Sequence, residues 1–299
     1  MPRIQSAAPF LVLAVALAAV SFGSIFARLA DAAPLAIAAW RMGLAALVVI
    51  PVALVGESSN ARLELQPASL AAAAGLFLAL HFATWIASLD YTSIARSVLL
   101  VSTAPIWVAI FQFVSGRGVP ALRTVLALLF AVCGVAVATI GRGSGGALLT
   151  GDALAIAGAI AMAAYLLLSQ KAQSSLTFRR YLALAYGVAA ALLWLAVTLT
   201  GTAAGGYSAT TWWAFAGLAA ISQLIGHSGY NWSLRHLDPL YVAVALVGEP
   251  VIASVLGWWL LGEGLDWQTA VGGLLILTGI LLGASAARAL PVTVQTPAQ

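Results

Sequence analysis

Ten runs in this chain are almost free of charge, and each is long enough to cross a hydrocarbon core, which takes roughly 20 apolar residues. They cover residues 9–29, 34–55, 67–88, 93–115, 121–141, 151–171, 179–200, 210–233, 238–261 and 267–287. Short connectors rich in glycine, proline or charge separate them, such as Gly56-Glu-Ser-Ser-Asn60 and Gly141-Arg-Gly-Ser-Gly-Gly146. Of the residues, 63% are apolar and 7% charged, with a mean hydropathy of +1.04. Soluble domains carry roughly a quarter charged residues, so lipid must cover this surface. A β-barrel would need alternating polar residues, which these runs lack. The expected fold is an all-α integral membrane domain of ten transmembrane helices.

The runs also repeat. Ser97-Val-Leu-Leu-Val-Ser-Thr-Ala-Pro105-Ile-Trp-Val returns 145 residues later as Val242-Ala-Val-Ala-Leu-Val-Gly-Glu-Pro250-Val-Ile-Ala. Ser88-Leu89 and Ser233-Leu234 keep that offset, as do Gly134-xxx-Ala138 and Gly279-xxx-Gly283. An offset of 142 to 143 links Gly75 to Gly217, Phe22 to Tyr165 and Arg28 to Lys171. The period is too long for a solenoid unit, and it divides the chain into halves of residues 1–145 and 146–299.

Five helices per half is an odd number, so the halves must enter the membrane with opposite orientation. That describes an inverted-topology repeat, a frequent plan of secondary transporters. With both termini cytoplasmic, the inner segments hold Arg3, Arg62, Arg117, Arg123, Lys171, Arg179, Arg180, Arg235 and Arg288. The outer segments hold Arg28, Arg96 and Arg142. That asymmetry satisfies the positive-inside rule. The basic residues are scattered, not clustered, so the pI near 9.6 reflects orientation and no nucleic-acid partner. Met1-Pro-Arg3, the apolar stretch 10–26 and Ala30-Asp-Ala32 have the outline of a signal peptide. The stretch exceeds the usual h-region of roughly 7–15 residues and has a counterpart at 159–171, so a retained first helix is expected. The single Cys133 excludes an intrachain disulfide.

Enzyme motifs are missing: there is no phosphate-cradling glycine loop, no HExxH, no paired cysteines and no Ser/His/Asp set. No metal or cofactor is implied. Attention falls instead on polar groups inside the apolar runs, which are costly in lipid and usually face a cavity or a partner. His81, Trp85 and Ser88 occupy one helical face at i, i+4 and i+7, and Gln223, His227 and Tyr230 repeat it 142 residues on. Inverted symmetry would turn both faces toward one axis and line a cavity without fixed charge. That suits a small zwitterionic or aromatic metabolite better than a polyanion. Trp107 and Tyr165 are further candidates for the lining, while Trp40, Trp258 and Trp259 near helix ends suit an interfacial belt.

Proline lacks a backbone donor and displaces the carbonyl four residues earlier, so Pro105 should free Val101 and Pro250 should free Leu246. In lipid, freed carbonyls belong where protein or water can satisfy them. Glu249 precedes Pro250 near mid-depth. It fits a substrate or proton site and equally a structural anchor for the kink. Arg41 lies about 10 Å below the outer end of its helix. It is expected to be structural, within reach of Glu249 or snorkelling outward. Gly134-xxx-Ala138 and Gly279-xxx-Gly283 are small-xxx-small motifs for close helix packing, within the protein or between copies in a weak homodimer.

The run Gly248-Glu-Pro-Val-Ile-Ala-Ser-Val-Leu-Gly-Trp-Trp-Leu-Leu-Gly-Glu263 resembles the ninth-helix signature of the EamA branch of the drug/metabolite transporter superfamily. Leu237-Asp-Pro239, Arg41, Gly272 and Gly279 fit the same pattern. The aromatic-rich helices are similar to those of YddG-type amino-acid exporters. One departure is Gly116-Arg-Gly118, where the second half carries Gly262-Glu263. The resemblance spans the chain. It implies a transporter of the inner membrane, not an enzyme, that exports amino acids or similar small metabolites by alternating access. Drugs or sugar conjugates are the rival cargo, and an integral-membrane enzyme or a receptor is the rival outside this class.

Overall fold

A computed structural model describes residues 7–55, 64–92, 94–116, 121–139, 146–262 and 267–287. Both chain ends lie outside the described residues, as do Arg3, Arg62, Arg117, Gly118, Arg142, Glu263 and Arg288. Every regular element among the described residues is helical.

Seven helices are long and apolar enough to cross a membrane: Ala8–Leu29, Pro34–Val55, Leu65–Ser88, Arg96–Val114, Leu149–Gln173, Phe178–Thr200 and Pro239–Leu261. Leu122–Val137 and Ala270–Gly279 are shorter apolar helices. The remaining expected run, 210–233, is divided into an α-helix (Ala209–Gly217), a π-helix (Leu218–His227) and a short α-helix (Ser228–Ser233). Exposed leucines and valines such as Leu47, Leu54, Leu195 and Leu281 cover the outer faces, as a lipid-solvated bundle requires. Trp258 and Trp259 join them, Trp259 being 71% exposed. Trp40 does not. It packs against Trp194 and Trp212 at ring separations of 5.0 and 4.7 Å, and its indole N–H donates to the Ala204 carbonyl.

Helix packing is reciprocal between the two halves. Leu65–Ser88 lies along Gly146–Gln173, and its sequence counterpart, residues 209–233, lies along Ala8–Ser21. Pro34–Val55 packs on Phe178–Thr200, and Leu122–Thr139 on Trp267–Ala287. In the last pair a Cβ on Gly134 would sit 2.6 Å from the Gly272 carbonyl, and one on Gly279 would sit 2.7 Å from that of Ala127. Each of these equivalent glycines thus admits the other helix's backbone, so the small-residue motifs serve packing within the chain. The side chains at Ala138 and Gly283 fall outside the description.

The two repeated prolines each follow a break in the helix of their span. Residues 102–103 separate Ile94–Val101 from Ala104–Val114, and residues 247–248 separate Pro239–Leu246 from Glu249–Leu261. Each proline then stands in the first turn of the second piece, where a missing N–H leaves no bond unmade. Around the first break, hydroxyls take up carbonyls: Ser102 donates to Val98 and Thr103 to Leu100, both at 2.7 Å.

The close packing of Leu122–Thr139 and Trp267–Ala287 has a direct consequence. Gly134→Val and Gly279→Val should each cost about 1–3 kcal/mol by overpacking, read as a lower unfolding midpoint in detergent. Gly201→Val probes strain without crowding: nothing lies within 4 Å, but its φ is +64°.

Candidate functional site

Midway along the bundle, seven helical spans, some of them interrupted, leave a cavity of ≈ 40 Å³. A buried water needs roughly 10–15 Å³ on this measure, so there is room for a few waters and for no larger cargo. The wall combines Arg41, His81, Trp85, Ser102, Pro105, His227, Tyr230 and Glu249 with apolar groups including Val20, Met162 and Leu166.

Arg41 is the most deeply committed of these, at 1% exposure. Its Nε donates to Gln223 Oε1 at 2.9 Å, and its guanidinium lies 3.9 Å from the centre of the Phe82 ring. A desolvated cation over an aromatic face gains about 2 kcal/mol, so Arg41 is held inward and does not snorkel. Glu249 opens the helix Glu249–Leu261, where the positive end of the helix dipole favours a carboxylate. Both charges line one cavity, yet the ion pair found within 4 Å among the described residues is Arg96–Asp152. The cavity wall therefore carries a guanidinium and a carboxyl group held apart, in contrast to the uncharged lining expected from the helix faces.

The imidazoles are neighbours, with ring centres 6.2 Å apart. His81 Nδ1 donates to the Gly158 carbonyl at 3.0 Å, which leaves Nε2 as an acceptor. Trp85 stacks parallel to His81, 8° from coplanar, and its indole N–H is buried without a partner among the described residues. His227 Nδ1 shares a hydrogen bond with the Tyr230 hydroxyl.

The remaining candidates stand behind the wall. Gln223 is fully buried and reaches the cavity only through Arg41. The reason is the π-helix: with i→i+5 bonding residue 223 stacks on 228 rather than 227, and Ser228 Oγ donates to the Gln223 carbonyl at 3.3 Å. Ser88 bonds to the Trp85 carbonyl and to Ser97 Oγ at 2.6 and 2.5 Å, tying two helices together. The Tyr165 hydroxyl accepts from Asn231 Nδ2 at 2.5 Å, and Asn231 Oδ1 accepts from Tyr181 at 3.1 Å. Trp107 is half-buried among apolar neighbours, and Pro250 is buried beside Glu249. Phe82, Ser102, Met162 and Asn231 escaped the sequence reading. Phe82 was adjacent to a chosen residue but off its face, and Asn231 is explained only by three converging helices.

A multi-pass helical bundle with broken helices around a buried polar cavity is the form of a membrane transport protein. Residues 6–140 and 149–284 each match the EamA-like transporter family, and the chain belongs to that family, whose members move small molecules through the lipid bilayer. Two relatives from Archaeoglobus fulgidus, both described as uncharacterized transporters, are 24% identical to it. One aligns over 90% of this chain and 94% of its own, the other over 68% and 71%. A solved crystal structure, 18% identical, has the same fold with a TM-score of 0.76 over 94% of this chain and 98% of its own.

Gln223 should matter through Arg41 alone. Gln223→Leu leaves a buried charged donor unpaired and is expected to cost about 1.5–3 kcal/mol. In an Arg41→Met background the same change should cost far less, a non-additivity measurable by thermal unfolding of the four proteins.

Proposed function

We propose that the protein exports amino acids, or similarly small zwitterionic metabolites, across the inner membrane by alternating access. The observation that carries this reading is the pair Arg41 and Glu249, opposite charges in one cavity wall without contact between them. Isolated charges in a low-dielectric interior are costly unless paired. A ligand bearing a carboxylate and an ammonium would satisfy both, the first on Arg41 and the second on Glu249. The unpartnered Trp85 indole N–H is a further donor for the carboxylate. Flanking rings of Trp85, His81 and Tyr230 favour an apolar or aromatic side chain on the cargo. A sugar conjugate would leave the two charges unmatched.

In this reading the chain crosses the membrane ten times, with both termini cytoplasmic. Residues 1–145 and 146–299 are inverted halves, and residues 209–233 form the eighth crossing despite their π-helical centre. The reciprocal packing of the helix pairs supports this plan. A cavity too small for cargo fits a closed resting state, and opening would require the halves to rock about the breaks at 102–103 and 247–248.

Two measurements test the reading. Proteoliposomes loaded with labelled neutral amino acids should show saturable exchange, inhibited by the zwitterion and not by its amide or its decarboxylated amine. Arg41→Gln or Glu249→Gln should weaken apparent affinity about thirty-fold, since removing one partner of a desolvated charge pair costs upward of about 2 kcal/mol. Equal inhibition by the amine would remove Arg41 from substrate binding, and unchanged exchange in Glu249→Gln would make that carboxylate an anchor for the helix break. Trp85→Ala should impair exchange while leaving the unfolding midpoint within the range of other surface-of-cavity changes.

A further inference from the structure

The helix Gly146–Gln173 runs the depth of the bundle and is tied at both ends. Near its start Asp152 meets Arg96 in a bidentate pair, with Oδ1 2.7 Å from Nε and Oδ2 2.6 Å from Nη2. The same end packs against the connector that follows Ser88, where a Cβ on Gly151 would touch Tyr91 and Thr92 at 3.0–3.2 Å. Near its finish Gln170 donates to the carbonyls of Leu234 and Leu237, in the connector that leads to Tyr241. From 152 to 170 the helix climbs about 27 Å at 1.5 Å per residue. Met162, on the cavity wall, lies about 15 Å above Asp152. The cavity thus sits midway between the two ties.

Tyr241 has its own partner at the far end. Its ring meets Phe10 edge to face, with centres 5.8 Å apart, and the Pro9 carbonyl beside Phe10 accepts from Ser233. These four residues are related by the internal repeat. Arg96 and Tyr241 are equivalent at the offset of 145 that links Pro105 to Pro250. Phe10 stands within one residue of the position equivalent to Asp152 at the offset of 142 to 143. Equivalent positions near the starts of equivalent helices are therefore paired at both ends, by charge at one and by aromatic contact at the other.

We propose that Arg96–Asp152 and Phe10–Tyr241 are the two gates of the transport cycle, each closing the cavity toward one side of the membrane. Both pairs join a cavity-lining broken helix to a cavity-lining neighbour: Arg96 heads the helix broken at 102–103, and Tyr241 heads the one broken at 247–248. Parting either pair frees the first piece of a broken helix to swing while the second piece stays packed. With both pairs formed each gate would be shut, in keeping with the small volume of the cavity. Because one gate is ionic and the other apolar, opposite sides of the membrane are opened by different perturbations of one protein. The inference rests on the alternating-access reading and not on the identity of the cargo.

Side-specific labelling tests it. Ser102→Cys places a thiol on the cavity wall, in a Cys133→Ala background that removes the natural thiol. The protein is reconstituted in one orientation, and a membrane-impermeant maleimide is supplied from one side at a time. Arg96→Gln should speed labelling about five-fold, the scale of one partly buried ion pair, and only from the side bearing residues 89–92. Phe10→Ala should do so only from the side bearing residues 234–238. The double change Arg96→Asp with Asp152→Arg should restore the parent rate, which separates gating from a folding defect. Acceleration from the same side by both variants, or unchanged rates in both, would overturn the gate assignment. A parent thiol labelled from either side leaves alternating access standing, so those outcomes bear on the gates alone, whereas a thiol labelled from only one side or from neither in every protein would overturn alternating access itself.

Discussion

A guanidinium buried in a lipid-solvated bundle cannot be left to itself, and much of this structure is arranged around that fact. Arg41 sits in the middle of Pro34–Val55, too deep for its side chain to be the snorkelling cation of a helix end. Its charge is met by a ring face from Leu65–Ser88 and by an amide oxygen from the π-helix Leu218–His227. Three helices are therefore locked in register by one residue. A π-helix places a residue where an α-helix cannot and costs regular hydrogen bonding, and such segments recur at functional sites. Here it turns Gln223 toward the arginine and leaves His227 on the cavity. The cation that remains on the wall is paired within the protein only in part.

The second constraint is the backbone. Lipid offers no partner for a freed carbonyl, so a helix is best interrupted in the interior, and the two proline breaks occur beside the cavity. Their placement in equivalent helices brings the two breaks together at the cavity. Neighbouring helices are tied by other contacts. Leu122–Thr139 and Trp267–Ala287 interlock through backbone contacts at Gly134 and Gly279. Gly146–Gln173 is pinned by the buried Tyr165, Asn231 and Tyr181 bonds.

How much of this was legible in the sequence follows from what each signal depends on. Membrane character and helix limits rest on hydropathy over long windows, and the observed helices begin and end within a few residues of the expected runs. The repeat was legible because prolines and glycines are read one by one. His81, Trp85, His227 and Tyr230 reach the same cavity because helical phase predicts which side chains share a face. Phase also explains the misplacements. Gln223 departs through π-helical winding, which no residue pattern announces, and Ser88 is drawn off by Ser97 across a connector. Trp40 has the composition of an interfacial anchor but packs against Trp194 and Trp212, and partners from distant helices leave no local trace. The sequence puts Arg41 within reach of Glu249 but does not show which partners hold it inward on the cavity wall. Its role depends on Phe82 and Gln223, 41 and 182 positions away.

The separation of Arg41 from Glu249 is the step that joins structure to transport. Had the two met in a salt bridge, the closed state would be self-satisfied, and cargo would have to displace a strong internal contact. Held apart in a space of a few waters, they would leave the empty closed form of the proposed cycle with two partly matched charges, a state of raised energy. Alternating access requires the empty and loaded forms to differ in how readily they close. A zwitterion spanning the gap would lower the energy of the closed form by neutralising both charges at once, and a ligand bearing one charge would neutralise only half. Closure would thereby be conditional on the whole cargo. The same two residues that make the empty cavity costly would make its occupied form the favoured path between the two gates.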